Sequence, residues 1–294
     1  MEEKIPLIFD CDNTFGLPGC DVDDGLALLY LLGCEEVRLL GITCSYGNSS
    51  QEKVYANTKR LLKEWGREDI PVFKGAERAG SARSEAAEFL ADMAQQHRGT
   101  LAVLATGSLS NLLGAAEIFP DFFRAVQSFS LMGGITEPLF VGGRPMKELN
   151  LSCDPEASYA VLRQGKRVLL ATAQNCLGSY FPKAPCLRLL RSCGKPIGPY
   201  LEKALEYWFD IYERQWNLPG FINWDVMAAV QLLHPEFFDM KKREISPTTA
   251  SLQTGVLLSA DQAITVTLPE IADHDGYFRH IYERFFSAEI QLRR

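Results

Sequence analysis

Residues 5–33 read IPLIFDCDNTFGLPGCDVDDGLALLYLLG, and this stretch decides the fold. It begins with an apolar strand, crosses a turn rich in aspartate, and enters an apolar helix that continues to Leu32. Strands that are apolar on both faces are typical of a parallel sheet covered by helices on either side. The stretch therefore predicts a β-α unit in which acidic side chains directly follow a buried strand.

The same alternation recurs along most of the chain. Further strands are predicted at residues 37–45, 71–75, 101–106, 128–133 and 167–172, after a first one at 5–10. Helices are predicted at 25–32, 51–65, 86–96 and 155–162. Repeated β-α units predict an α/β fold with a doubly wound, mostly parallel sheet and helices on both faces.

The last third of the chain has a different pattern. Residues 197–216 and 225–233 are predicted helices, residues 248–268 are predicted to hold an antiparallel strand pair, and a closing helix is expected from about Tyr277. No linker, repeat or low-complexity segment divides the sequence. We therefore expect one domain over residues 1–294.

Composition narrows the classes of partner. The chain has 294 residues, of which 47% are hydrophobic, and a net charge of −7, which argues against general binding to nucleic acid or anionic membranes. No apolar run approaches the roughly 20 residues that span a bilayer. The first ten residues, MEEKIPLIFD, do not resemble a signal peptide. We expect a cytoplasmic location and a small-molecule partner.

Cysteine spacing favours free thiols. The eight cysteines show no CxxC pair and no neighbouring histidine at zinc spacing. Several lie in apolar, strand-like runs, such as Cys44 in LLGITCSYG. Buried thiols in a reducing compartment explain this pattern better than disulfides do.

The turn after the first strand crowds five carboxylates together: Asp10, Asp12, Asp21, Asp23 and Asp24. Such like charges repel one another strongly. A helix N-cap uses only one acid, whereas a hard divalent cation such as Ca²⁺ or Mg²⁺ would neutralise several through oxygen ligands. The spacing therefore favours a metal site.

Two known families begin in this way. IFDCDNTF is similar to the first motif of haloacid-dehalogenase-type phosphatases, in which Asp10 would be the phosphorylated nucleophile, Asp12 an acid/base and Thr14 a supporting residue. LAVLATGS resembles that family's second motif. The late acidic motif of the phosphatases has no convincing match in SADQ or IADHDG.

The nucleoside hydrolase family, of the inosine-uridine preferring type, explains more of the chain. Its opening DxD, turn and DD resemble IFDCD followed by DVDDGLALLYLLG. Later segments resemble it in the same order: GITCSYGNSSQEKVYANTKRLL, VLATGSLSNLLGA, LMGG, KELNLSCDPEASYAVL and NWDVMAA. The resemblance covers residues 5–235 and implies an enzyme that cleaves the N-glycosidic bond of ribonucleosides.

The resemblance also implies a metal site and a general base. Ca²⁺ would be held by the carboxylates of Asp12, Asp24 and Asp225 and by the backbone carbonyl of Thr106. Asp12 would activate water as the general base. Asp10 would support the site from outside the ligand set.

Binding of the substrate is implied at further positions. Asp23, Asn48, Glu148 and Asn150 match ribose-binding positions. Trp224 precedes the late Asp where one branch of the family has a histidine, and resembles the purine-specific branch, in which an aromatic ring stacks on the base. A purine nucleoside is therefore weakly favoured. A homodimer or homotetramer is expected from the family alone.

Three features depart from the family pattern. The turn from Asn13 to Val22 is longer, so that Asp21 could replace a usual ligand; Gly142 and Gly143 stand where a ribose-binding Asn is common; and a second stacking tryptophan is not identified. Four aromatic residues at helical spacing upstream of Trp224 are expected to be mainly core, with room for one or two of them to line the base site: Tyr207, Trp208, Tyr212 and Trp216. A ribosyl-ligand sensor without efficient catalysis remains an alternative to an enzyme.

Overall fold

The computed structural model describes residues 4–81 and 83–293. Its strands are β1 (Ile5–Cys11), β2 (Val37–Cys44), β3 (Val72–Lys74), β4 (Ala102–Ala105), β5 (Ser128–Met132), β6 (Phe140–Val141), β7 (Arg144–Pro145), β8 (Val168–Ala171), β9 (Tyr180–Pro182), β10 (Gly220–Ile222), β11 (Phe238–Ile245) and β12 (Ile264–Ile271). Each of the six strands predicted in the first two-thirds of the sequence is present.

The helices alternate with these strands. They are α1 (Asp23–Leu32), α2 (Gln51–Glu64), α3 (Glu85–Gln96), α4 (Ser110–Ile118), α5 (Phe122–Ala125), α6 (Asn150–Cys153), α7 (Pro155–Gln164), α8 (Ala173–Cys176), α9 (Lys183–Ser192), α10 (Ile197–Trp216), α11 (Trp224–Leu233), α12 (Thr249–Leu252) and α13 (His274–Ser287). The predicted helices are confirmed within a few residues at their ends.

An eight-stranded sheet has the order β11-β12-β8-β5-β4-β1-β2-β3. Its neighbouring strands run parallel, except that β11 is antiparallel to β12. The chain winds outward from β1 through β2 to β3 and then returns to β4 on the other side of β1. This reversal is a topological switch point, and the crevice at the carboxyl ends of β1 and β4 is where such sheets bind ligands.

Alternate side chains of the central strands enter two separate hydrophobic cores. In β1, Leu7 and Phe9 join the cluster that includes α1, α10, α11 and α13, while Ile8 joins the cluster on the opposite face with α3, α4 and α7. This alternation is the pattern of a strand buried on both faces. The mostly parallel sheet with helices on both faces, predicted from the sequence, is confirmed.

The prediction of an antiparallel strand pair within residues 248–268 is wrong for the first of the two strands. The pair consists of β11 and β12, and residues 249–252 instead form the short helix α12, which begins with a capping box at Thr248. The sequence of β11, FDMKKREI, is charged because β11 lies at the edge of the sheet, where charged side chains face solvent. A search of the sequence for apolar strands therefore does not find β11.

The long turn between β1 and α1 is packed against three helices. Phe15 is buried and lies over Gly25 of α1. Arg60 of α2 donates to the Phe15 carbonyl at 2.9 Å, and Tyr207 of α10 donates to the Cys20 carbonyl at 2.8 Å. These contacts fix the turn, which carries Asp21 to the edge of the crevice.

All eight cysteines are free thiols, as predicted. Five of them are buried, which accords with their apolar sequence surroundings. Over residues 4–81 and 83–293, none of the helices combines the length and the apolar character that crossing a bilayer requires.

Substitution Gly25→Ala tests the packing of the long turn. A Cβ on Gly25 would lie 2.3 Å from the Cβ of Phe15, so we expect Gly25→Ala to lower the free energy of unfolding by about 1–3 kcal/mol. Elsewhere in a helix the same change stabilises by roughly 0.5–1 kcal/mol. Urea denaturation of Gly25→Ala, Phe15→Ala and the double variant gives the coupling free energy between the two positions. We expect the double variant to lose less free energy of unfolding than the two single variants lose in total. Additive costs would contradict this packing.

Candidate active site

Residues that follow β1 and β4 meet at the switch point. Asp12 comes directly after β1 and Thr106 directly after β4. The backbone N–H of Thr106 donates to the Asp10 carbonyl at 2.9 Å, and that of Ser45 donates to the Cys11 carbonyl at 2.9 Å. These bonds continue the ladder beyond the strand ends and fix the backbone on which the acidic side chains stand.

Aspartates from distant parts of the sequence converge on this crevice. Carboxylate oxygens of Asp21, Asp23 and Asp24 lie within 4.8 Å of one another. Asp23 and Asp24 open α1, and Asp225 is the second residue of α11, which packs against α1. Burial, followed by the charges of Asp23, Asp24 and Asp12, raises the pKa of Asp225 well above its usual value. The structure therefore brings together the early and late acids that the sequence predicted to share a site.

Asp12 is fully buried and is held by the segment that follows β2. Its Oδ2 accepts from the backbone N–H of Asn48 at 2.6 Å, and its Oδ1 accepts from Asn48 Nδ2 at 3.2 Å. A Cβ on Gly47 would lie 1.9 Å from Asp12 Oδ2, so this close approach requires glycine. Burial, and then the charge of Asp21, raises the pKa of Asp12 to about 7.

A second set of hydrogen bonds orients Asp24 and the carbonyl of Thr106. Thr106 Oγ1 donates to Asp24 Oδ1 at 2.6 Å. Asn150 Nδ2 donates to the Thr106 carbonyl oxygen at 2.8 Å and to that of Met132 at 3.1 Å. A carbonyl oxygen has two lone pairs, so the Thr106 carbonyl keeps one for a further partner.

Asp10 lies behind the site rather than in it. It is fully buried, and its Oδ1 accepts from Thr43 Oγ1 at 2.6 Å and from Asn111 Nδ2 at 2.7 Å. Burial raises its pKa to about 7 against the effect of these bonds. Asp10 does not line the cavity described next, and neither do Asp12 and Asp24. Because two side-chain donors engage its Oδ1, Asp10 suits a supporting role better than the nucleophilic role that the phosphatase alternative requires.

A cavity of about 280 Å³ opens above these acids. All four predicted ribose-binding residues line it, together with Thr106, Trp224 and Asp225 from the predicted metal and base sites. The predicted ligands Asp12 and Asp24 do not line it and lie buried beside residues that do. Residues without such a prediction also line it: Asp21, Met132, Leu139, Met146, Lys147, Leu149, Ala173, Trp208, Tyr212, Gln215 and Trp216. Sequence reasoning offered no signal for Lys147 or Gln215, since isolated polar residues are common on any surface.

The predicted ribose-binding side chains differ in their free hydrogen-bonding capacity. Glu148 accepts from the backbone N–H groups of Gly134, Leu151 and Ser152 at 3.1, 2.7 and 2.9 Å. Its carboxylate therefore stabilises the local backbone as well as facing the cavity. In contrast, the buried Oδ1 of Asp23 has no hydrogen-bond partner within residues 4–81 and 83–293.

Aromatic residues of α10 line the cavity rather than filling the core alone. Trp208, Tyr212 and Trp216 stand at i, i+4 and i+8 on one helix face. Tyr212 also accepts a hydrogen bond from Trp224 Nε1 at 3.0 Å, which joins α10 to the start of α11. Tyr212 is a buried member of the hydrophobic core, and Trp208 and Trp216 pack against that core, as expected; all three line the cavity as well, one more than the one or two that the sequence allowed. Helical spacing identified the face but not the neighbour that it contacts.

Asp21 is the site residue that the long turn adds. Its carboxylate lines the cavity and accepts from Thr14 Oγ1 at 2.8 Å. Burial raises its pKa to about 6 against the effect of that hydrogen bond. The sequence left open whether Asp21 joins the site, and the structure places it beside Asp23 and Asp24.

The donor set fits a hard cation. The groups that face one another are carboxylate and carbonyl oxygens, which Ca²⁺ and Mg²⁺ prefer. Asp24 Oδ2 resembles Asp23 Oδ1 in being buried without a hydrogen-bond partner in the described part of the chain. Such oxygens are costly unless a cation or a proton satisfies them. The cluster therefore has the chemistry of a metal site.

Comparisons with known proteins identify the family of the chain. The family model for inosine-uridine preferring nucleoside hydrolase matches residues 7–278. A pyrimidine-specific ribonucleoside hydrolase of Citrobacter koseri is 26% identical over 279 residues, which cover 85% of this chain and 86% of that protein.

Solved structures share the fold. A plant nucleoside hydrolase superposes with a TM-score of 0.82 at 21% identity, covering 95% of this chain and 98% of the other. A purine-preferring ribonucleoside hydrolase from Gardnerella vaginalis superposes with a TM-score of 0.78 at 21% identity, covering 97% and 99%. With a family model that spans nearly the whole sequence, the chain belongs to the inosine-uridine preferring nucleoside hydrolase family and is an N-glycosyl hydrolase.

Proposed function

We propose that the chain, acting as one domain, hydrolyses ribonucleosides to a free base and ribose with the help of bound Ca²⁺. The observation that carries this proposal is the convergence of Asp23 and Asp225, from opposite ends of the sequence, on one cavity that also contains Trp224. Acidic groups at one end and aromatic rings nearby suit a ligand with a sugar diol and a planar base.

The proposed ligands of Ca²⁺ are Asp12, Asp24, Asp225 and the carbonyl of Thr106. When bound, the ion would acidify a water molecule and orient the ribose diol. Asn48 holds Asp12, and Asn150 holds the Thr106 carbonyl, so the ligand atoms are oriented by hydrogen bonds before any ion binds. Asp21 stands close enough to this set to adjust its charge.

Asp12 is the proposed general base. Its carboxylate is oriented by Asn48, which lines the cavity, and a water molecule between Asp12 and the ribose would lose its proton to it. Cleavage of the N-glycosidic bond develops positive, oxocarbenium-like charge on the sugar. The nearby carboxylates of Asp23 and Asp225 stabilise that charge electrostatically.

The base is proposed to stack on Trp224. Its ring is fixed by the hydrogen bond to Tyr212, while Trp208 and Trp216 supply the second aromatic surface that the sequence did not reveal. None of the four histidines, His97, His234, His274 and His280, lines this cavity. Stacking, rather than a histidine acid, is therefore proposed to assist departure of the base, and extended purines gain most from it.

The direct test is hydrolysis of a panel of purine and pyrimidine nucleosides, with and without chelator, followed by assay of reducing sugar. We expect release of ribose, faster from purine nucleosides, and its loss when chelator is added. Binding of nucleosides with no release of ribose would instead select the alternative of a ribosyl-ligand sensor.

Replacement of Asp12 tests the general base. We expect Asp12→Ala to lower kcat by about 10²–10⁴-fold or more, because water would lose both its proton acceptor and its orientation. Asp239→Asn, which changes an exposed acid on the edge strand β11, is the matched control and should keep full activity. Activity of Asp12→Ala within a few-fold of the unmodified protein would defeat the assignment.

Replacement of Trp224 tests the base site. Loss of stacking worth about 0.5–1.5 kcal/mol should lower kcat/KM for inosine by roughly 2- to 13-fold, and less for uridine. Trp65→Phe alters a fully buried tryptophan that packs with Phe15 and Tyr200, outside the cavity, and should leave the inosine-to-uridine ratio unchanged. An unchanged ratio in Trp224→Ala would remove the case for purine preference.

Removal of the metal should make stability depend on pH in a stated direction. Burial raises the pKa of Asp12 to about 7 and of Asp21 to about 6, whereas an unfolded Asp titrates near pKa ~3.9. Between these pKa values the metal-free folded state holds protons that the unfolded chain has released, and this stabilisation is lost as pH rises from about 4 to about 7. We expect its Tm to fall over that range.

Added Ca²⁺ should reverse the trend. Because the ion binds ionised carboxylates, its increase of Tm should be larger at about pH 8 than at about pH 5. Differential scanning calorimetry of chelator-treated protein, with and without Ca²⁺, measures both effects. A metal-free Tm that rises with pH across this range would be incompatible with the site.

A further inference from the structure

A second cluster of metal-ligating side chains lies at the far ends of the helices that carry the active-site acids. Cys34 comes two residues after the end of α1, and His234 follows α11 directly. Glu36 stands just before β2. A ten-residue helix is about 15 Å long, so this cluster lies roughly that far from the aspartates at the other ends of α1 and α11.

The three side chains face one another. One ligand atom from each of Cys34, Glu36 and His234 lies within 4.8 Å of the others. His234 Nε2 is 2.7 Å from Glu36 Oε1. Ligand atoms around a tetrahedral zinc ion are about 3–4 Å apart, so small rotations of these side chains would complete the geometry.

The outer nitrogen of the imidazole supports the same assignment. His234 Nδ1 lies 3.0 Å from Glu236 Oε1. Histidines that bind metals nearly always direct their second ring nitrogen to a carboxylate or carbonyl, which fixes the tautomer with a free lone pair on the ligating nitrogen. Glu236 can hold Nδ1–H in this way. Without metal, Nε2 donates its own proton to Glu36, because burial lowers the pKa of His234 but the hydrogen bonds to Glu36 and Glu236 outweigh it and raise that pKa above its ordinary value.

The charge of the cluster also suits a cation. Hydrogen bonding to His234 lowers the pKa of Glu36 to about 2, so this carboxylate is ionised at neutral pH. Glu236 adds a second carboxylate, and without metal both carboxylates are opposed by Arg284 and by the protonated His234. His280 packs against the His234 ring, and Nε2 of His280 forms a hydrogen bond with Tyr30 OH at 3.1 Å. Burial and the charge of Glu36 raise the pKa of the Cys34 thiol to about 12, so the thiol is protonated without metal. A cation that displaced the protons of Cys34 and of His234 Nε2 would face a thiolate and two carboxylates, opposed by Arg284.

We propose that Cys34, Glu36 and His234 form a second metal site, selective for a thiophilic divalent cation of the Zn²⁺ class. A thiolate–imidazole–carboxylate set favours zinc, whereas Ca²⁺ takes only oxygen ligands. On binding, the Cys34 thiol and Nε2–H of His234 would each release a proton to solvent, Nε2 would donate its lone pair, and Glu36 would exchange its hydrogen bond with His234 for a contact with the ion. The side chains of His234 and Glu36 are 15% and 35% exposed, which leaves a route from solvent.

Sequence inspection had no means of finding this site. Its cysteine and its histidine are separated by 200 positions, so no short spacing of zinc ligands exists. The site depends on the packing of α1 against α11, which aligns the two helix ends. An ion bound there would link the ends of α1 and α11, the helices that also position Asp24 and Asp225. It would stabilise the fold without contacting substrate.

The test is Co²⁺ titration of chelator-treated full-length protein in saturating Ca²⁺, which occupies the oxygen-ligand site. Cobalt bound through a thiolate gives an intense near-ultraviolet charge-transfer band that oxygen ligands do not give. We expect this band to grow to one equivalent of Co²⁺ and to be displaced by Zn²⁺. The band should be absent in Cys34→Ser and should require at least about 10-fold more Co²⁺ in Glu236→Gln.

Cys193→Ser is the matched control, because it removes a half-buried thiol at the end of another helix and should keep the band. Circular dichroism of each variant without metal confirms folding. Absence of a thiolate band in the unmodified protein, or its persistence in Cys34→Ser, would overturn the proposal. The spectrum does not depend on nucleoside hydrolysis, so failure of this site and failure of the proposed activity are separate results.

Discussion

The candidate active site can form only if the mutual repulsion of its buried aspartates is compensated. Asp12, Asp23, Asp24 and Asp225 are all buried at the carboxyl edge of the sheet, where burial and neighbouring charges raise the pKa of each. A fold tolerates such crowding when a cation or bound protons compensate it. The ordered hydrogen bonds around Asp12 and the Thr106 carbonyl indicate that the arrangement is built for a ligand.

The α/β architecture explains how these groups meet. Asp12 and Thr106 follow adjacent parallel strands on either side of the switch point, whereas Asp24 and Asp225 occupy the first turns of two helices packed against each other. The positive ends of the helix dipoles therefore face the carboxylates and offset part of their repulsion. The aromatic residues of α10 then enclose the space above, so that one cavity has a charged end and an apolar end.

Much of this arrangement was readable from the sequence. Apolar strands such as β1 and β4 are distinctive because both of their faces are buried, and the residues directly after them, Asp12 and Thr106, are therefore placed by the fold. The edge strand β11 was missed because its exposed residues are charged. The contacts of Trp208 and Trp216 were not predictable, since helical spacing defines a face but not what lies opposite. The same limit applies to Cys34 and His234, whose proximity arises only from tertiary packing.

The central claim is that one cation is held jointly by acids from the beginning and the end of the sequence. Isothermal titration of Ca²⁺ into chelator-treated protein, compared with Asp225→Asn, tests it most directly. The account predicts one equivalent bound by the unmodified protein and an affinity weakened by at least about 100-fold in the variant, because a buried carboxylate ligand is lost. Equal affinity in Asp225→Asn would show that α11 does not share the ion, and would contradict the account.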